Sequence, residues 1–153
     1  MNFPENLKYT KDHEWILVDG DIGTVGITDH AQGELGDVVF VELPAAGKTV
    51  KAHETFGTIE AVKAVSDLFS PASGSIVEVN KELSTAPELV NKDPYGKGWM
   101  VKLKLSNPGE LASLLNVAAY KALVLIICVM KKIIVSIIGF QIGYIKRFDL
   151  RCK

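Results

Sequence analysis

Apolar residues recur at alternate positions in several short runs, and Gly, Pro or Asp-Gly breaks separate the runs. In "HEWILVDGDIGTVGIT" one run covers Trp15–Val18, meets Asp19-Gly20, and resumes from Asp21 to Ile27. That pattern predicts a hairpin, because Asp-Gly accepts the backbone angles of a tight turn between strands. Thr28 then stands where a helix cap is wanted, one short helical turn follows, and Gly33 or Gly36 offers a stop. "DVVFVELP" is apolar on both faces, with Val39 and Val41 on one and Val38 and Phe40 on the other. Such a strand is expected to be central and to end at Pro44. A second hairpin is predicted from "ETFGTIEAV" and "AVSDLFSP", turning at Lys63, and "GSIVEVN" adds a strand. "APELVNKDPYGKGW" supplies a short helix with Pro87 near its first position, then a Pro/Gly loop. "WMVKLKL" sets Met100, Lys102 and Lys104 against Val101, Leu103 and Leu105, a half-buried strand. Asn107, Pro108 and Glu110 open a helix, and Asn116 can cap another turn through Tyr120. The sum is a mostly β chain, a sandwich or flattened barrel with short helices and a C-terminal helix.

Composition narrows the function. The 153 residues are 48% hydrophobic and 23% charged, enough apolar material for one buried core. Charge is split along the chain. Residues 1–124 carry 11 Lys against 17 acids, a net of −6, whereas residues 125–153 carry six Lys and Arg against one acid, a net of +5. An acidic body lacks the basic footprint of a nucleic-acid binder. Both cysteines, Cys128 and Cys152, fall in the basic tail, so the body has no thiol nucleophile and no CxxC pair. His13, His30 and His53 show no metal-ligand spacing and read as structural or surface residues. No phosphate loop and no nucleophile elbow occur. The N-terminus shows neither an apolar h-region nor an Arg-rich pattern, so a mature start near Met1 and a cytoplasmic place are expected.

Lys63 is what remains. It sits in "IEAVKAVSD" with Glu60 before it and Asp67 after it, at the expected tip of a hairpin. A lone turn lysine is ordinarily a solvated cation and a poor nucleophile. Acylated, the same amine could carry a prosthetic arm, aimed by two stiff strands and open to the active sites of partners. Ala61 and Ala64 leave room for an enzyme to grip the turn, and Glu60 offers it an acidic handle.

"LKYTKDHEW", "GTVGITDHAQGELGDVVFVELP", "IEAVKAVSDLFSPASGSIVEVN", "PELVNKDPYGKGWMVKLKL" and "ELASLL" occur in that order. Together they resemble the H proteins of the glycine cleavage system, collinearly over about residues 3–123. The resemblance implies a lipoyl carrier of the biotinyl/lipoyl-domain (barrel-sandwich hybrid) fold, monomeric in its body, with lipoate joined to Lys63 as an amide. Where the family usually reads Glu-Ser-Val-Lys, this chain has Glu60-Ala61-Val62-Lys63. A biotin carrier is disfavoured, since the lysine is flanked by Val62 and Ala64 instead of methionines. In such a family the arm visits a pyridoxal-phosphate glycine decarboxylase, a tetrahydrofolate-dependent aminomethyltransferase and dihydrolipoamide dehydrogenase. Lipoylating enzymes act on it beforehand, and the carrier itself performs no bond chemistry. The resemblance implies Glu60 as a recognition residue for lipoylation and Glu14 and Asp67 as contacts for the aminomethyl cargo, with Trp15 and Ile27 as apolar lining. A runner-up role is lipoyl donor or reservoir for 2-oxoacid dehydrogenase complexes.

The resemblance stops near "AAYKAL". The chain is thus expected to divide into a carrier domain, 1–124, and a hydrophobic basic tail, 125–153. Residues 122–130 are all apolar, then Lys131-Lys132 interrupts before a mostly apolar stretch from Ile133 to Ile145. A double lysine at the midpoint argues against a membrane span. Three readings stay open: an accidental extension such as a frameshift product, a membrane-associating anchor, or an extra element packed on the domain or an oligomer interface.

Overall fold

A computed structural model describes residues 1–142, with side chains as far as Ile137. Strand β1 (Lys8–Tyr9) leads into the hairpin of β2 (Glu14–Asp19) and β3 (Ile22–Ile27). Asp19 pairs with Ile22, and Gly20 takes φ +62°, the left-handed angle that the turn demands. Helix α1 (Asp29–Leu35) is capped by Thr28, whose Oγ1 accepts from the Ala31 N–H at 3.2 Å, and ends at Gly36 with φ +80°. Of the two glycines that could stop it, Gly36 does.

After α1 come β4 (Val38–Glu42), β5 (Thr49–Val50), β6 (Thr55–Ala61), β7 (Val65–Phe69) and β8 (Gly74–Val79). A 3₁₀ turn at Lys81–Ser84 and the short α2 (Leu89–Lys92) precede β9 (Val101–Leu105). A second 3₁₀ turn, Pro108–Ser113, leads to α3 (Val117–Ile142). The strands form a six-stranded sheet, β1-β2-β3-β9-β8-β5, and a three-stranded one, β4-β6-β7, and the two do not close into a barrel.

Ile16, Val25, Ile59, Leu68, Ile76 and Leu103 fill the space between the sheets and are almost wholly inaccessible. In β9, Val101, Leu103 and Leu105 point inward as the alternation predicts. Met100 is buried as well, because it precedes the strand and escapes its period. The expectation for β4 needs correction: it is an edge strand. A bulge between Val38 and Phe40 turns Val38 and Val41 inward and leaves Val39 and Phe40 about half exposed.

A second core joins Leu7, Tyr9 and Trp15 to Tyr120, Val124 and Cys128 of α3. These last three lie at i, i+4 and i+8, one face of a helix. Asn116 caps α3, its Oδ1 accepting from the Ala119 N–H at 2.9 Å. The Tyr9 and Tyr120 rings stack at 4.6 Å. The Tyr120 hydroxyl also meets Thr28 Oγ1 and His13 Nδ1, both at 2.8 Å. Burial and the neighbouring His30 ring lower the His13 pKa to about 4, so its contact with Tyr120 is that of a neutral imidazole. Helix α3 runs on past residue 124 without a break, and Lys131 pairs with Glu34 of α1. The tail beyond residue 142, Cys152 included, lies outside the described residues.

Candidate functional site

Two places in the fold hold the residues that the sequence singled out. The first is the tip of the β6–β7 hairpin. Its loop is only Val62 and Lys63, closed by the Ala61 N–H donating to the Ala64 carbonyl at 2.8 Å. Neither loop residue has positive φ, so no glycine is needed there. A second bond, from the Val62 N–H to the Asp37 carbonyl at 3.0 Å, ties the tip to the corner after α1. That corner is pinned in turn. Asn91 of α2 donates to the Gly36 carbonyl and to Gln32, both at 2.9 Å, and accepts from the Val38 N–H, also at 2.9 Å.

Lys63 is exposed on this braced tip and has no hydrogen-bond or ion-pair partner among the described residues. Its stem passes over Gly36, where an added Cβ would lie 2.8 Å from the Lys63 Cε. The sequence offered no sign of this contact, since Gly36 already had an explanation as a helix stop.

Around the tip the three-stranded sheet presents one row across its outer face. Phe40 pairs with Glu60, and Glu60 with Val65. Directly opposed residues share a face, so the acid sits between two exposed apolar side chains. Val62, 76% exposed, extends the apolar surface to the tip itself. One rung further, Asp67 pairs with Thr58 and is exposed.

The second place lies at the other end of β7, one five-residue strand or roughly 17 Å from the tip. Glu14 is buried there, only 2% exposed. Its Oε1 accepts from the Phe69 N–H at 3.2 Å, so it bridges the end of β7 to the start of β2. Its Oε2 accepts from the Thr10 hydroxyl, which also receives the Glu14 N–H at 3.1 Å. Burial pushes the carboxyl up to about 7, against the pull of the Thr10 and Phe69 donors. Sequence reasoning identified Glu14 but not its two holders; Phe69 acts through its backbone, which leaves no side-chain signal.

Ile27 lies across the strand pair from this carboxylate, whereas Trp15, the next residue, turns to the opposite face and into the second core. Glu14 pairs with Ile27, and the Trp15 Nε1–H donates to the carbonyls of Ile27 at 2.9 Å and Pro94 at 3.1 Å. The indole lies over Gly26, where a Cβ would come within 2.7 Å of the ring. Both side chains are closed in, at 1% and 4% exposure. Next to Thr10 a cleft of about 320 Å³ opens between Lys11, Asp12, His53 and Leu114. The structure thus gathers Glu14, Trp15 and Ile27 at one end of β7 and Lys63 and Glu60 at the other, with Asp67 on the strand between. Among the described residues no cluster of His, Cys, Asp or Glu is placed to hold a metal ion.

Comparison with known proteins places the chain in a family. The family described as "Glycine cleavage H-protein" matches residues 7–125. The chain belongs to the glycine cleavage H-protein family. The glycine cleavage system H protein of Symbiobacterium thermophilum is 62% identical over 121 residues, covering 79% of this chain and 94% of the relative. That of Bacteroides thetaiotaomicron is 60% identical over 124 residues, covering 81% and 98%. A crystal structure of the glycine cleavage system H protein from Mycobacterium marinum superposes with a TM-score of 0.72 at 44% identity, covering 78% of this chain and 97% of that one. The mostly β architecture is therefore that of an H protein. The family match ends at residue 125, inside α3.

Proposed function

We propose that the chain is the lipoyl-bearing shuttle of glycine cleavage, carrying the aminomethyl group from glycine decarboxylase to the folate-dependent aminomethyltransferase. One observation carries this reading in a chain of the H-protein family: the amine of Lys63 stands exposed, without a partner among the described residues, on a tight hairpin tip that is tied to the corner after α1. The residues fit an amide-linked lipoate. A primary amine without an ion pair is free to be acylated, and the open tip leaves room for the arm to leave the surface. When attached, the group supplies a disulfide that opens on reduction and a thiol that holds a one-carbon unit.

The other residues divide the work of a carrier. Glu60, between Phe40 and Val65, gives a lipoylating enzyme a charged contact inside an apolar row. Asp67, exposed on β7, presents a carboxylate to the cationic amine of the cargo, and Glu14, enclosed with its oxygens held by Thr10 and Phe69, would meet that amine only when uncovered. Ile27, paired across from Glu14 and buried, gives that carboxyl an apolar neighbour, while Trp15 packs on the other face of the strand and holds β2 against the second core. None of these residues makes or breaks a bond, and the reactions belong to the decarboxylase, the aminomethyltransferase and dihydrolipoamide dehydrogenase, in the cytoplasm. Reconstitution tests the reading. The lipoylated chain, mixed with glycine decarboxylase, should exchange labelled bicarbonate into glycine. Full lipoylation without any exchange would reject the shuttle role and leave that of lipoyl donor.

A further inference from the structure

Helix α3 is apolar on all sides in sequence, but the body covers one of them. Tyr120, Val124 and Cys128 are packed inward, and Lys131 is held by Glu34. What faces outward is a stripe of Ile126, Met130, Ile133 and Ile137, at spacings of four, three and four, each between 52% and 59% exposed. It extends about 16 Å along the helix. Leu125 and Val129, 64% and 46% exposed, widen it on one flank. Eight of the large exposed hydrophobics among the described residues lie on this one helix. A soluble surface rarely leaves so contiguous an apolar area open to water.

Charge says what covers it. Lys121 and Lys132 are exposed on the same helix, and residues 117–142 carry three Lys and no acid. The face is also wider than the narrow seam of a two-helix coil, and pairing two copies through it would bring two basic segments together. A flat surface that is apolar below and negative above satisfies both features. We infer that α3 docks this protein on the surface of an anionic lipid bilayer, with its outer face buried at the headgroup boundary and its basic residues among the headgroups. Apolar burial and basic charge are the two signals that a stable peripheral attachment needs. Among the described residues no helix is long and apolar enough to cross a membrane.

Cosedimentation of the full chain with vesicles tests this. Vesicles of phosphatidylcholine with phosphatidylglycerol should bring down most of the protein, with the bound fraction falling as salt is raised, while pure phosphatidylcholine should retain little. The change Ile126→Ser with Met130→Ser and Ile133→Ser should lower partitioning about tenfold or more, with the far-ultraviolet circular dichroism unchanged. Lys132→Glu, which touches no apolar contact, should lower it severalfold and flatten the salt dependence. The inference is overturned if the full chain stays in the supernatant with both vesicle types, or if neither variant binds less than the parent. Sedimentation equilibrium gives the competing outcome. A parent dimer that the triple variant dissolves, with no vesicle binding, would assign the face to a second copy.

Discussion

The two ends of β7 treat their charged groups in opposite ways. At the hairpin tip Lys63 is held in water by a backbone tied to the corner after α1, and among the described residues nothing pairs with its amine. At the far end Glu14 is enclosed, and each of its oxygens has a donor. The difference separates two demands on a carrier. A modification site must be reachable by other enzymes, so rigidity there comes from main-chain bonds that leave the side chain free. If Glu14 is the group that meets the cationic cargo, as proposed, a dry setting makes that one carboxylate interact more strongly than it would in solvent. Five residues of one strand, Val65–Phe69, connect the two.

The largest effect that would sharpen this contrast is Lys63→Arg. Arginine keeps the charge but is no substrate for the amide bond, so bicarbonate exchange should fall to background. The melting temperature should stay within about a degree or two, because the side chain is solvated. A variant that keeps exchange activity would break the assignment of the tip.

Glu14→Gln probes the buried end through pH. The folded state holds the Glu14 proton up to about 7, against an ordinary value of 4.5. Between those values the folded form binds more proton than the unfolded one, so native stability declines as pH rises through that window. Glutamine does not titrate, and its amide can still accept from Phe69 and donate to Thr10. The variant should therefore gain stability relative to the parent, on the order of 3 kcal/mol between pH 4 and pH 8. Parallel denaturation curves at the two pH values would show that Glu14 is not held as described.

Gly36→Ala acts on the tip from beneath. It forces a Cβ into positive φ and against the Lys63 stem, so a loss of about 1–2 kcal/mol is expected in denaturant titration. Lipoylation should slow as well, which a purely structural glycine would not require. Smallest is Lys131→Met at the Glu34 pair: an exposed ion pair contributes ~0–1 kcal/mol, so the melt should barely move.

Much of this layout was readable in advance. Asp19-Gly20 and the small residues about Lys63 announced both hairpins, because tight turns restrict backbone angles locally. The β9 alternation reported its inner face correctly. Three features were hidden, each for a physical reason. The apolar faces of β4 read as a central strand, yet a bulge and an exposed row beside Glu60 explain them equally well. Glu14 was expected as a contact for the cargo, and its enclosure was not visible because it depends on a bond from Phe69, 55 residues away. The Lys131-Lys132 pair looked like a break in the tail, whereas lysine is a good helix former and Lys131 meets Glu34 of α1.

The most direct test is peptide-level mass spectrometry of the chain after incubation with lipoate, ATP and a lipoate–protein ligase. The account predicts the mass of one lipoyl group, confined to the peptide that contains Lys63. A lipoyl group on any other lysine, or none at all on folded protein, would contradict it.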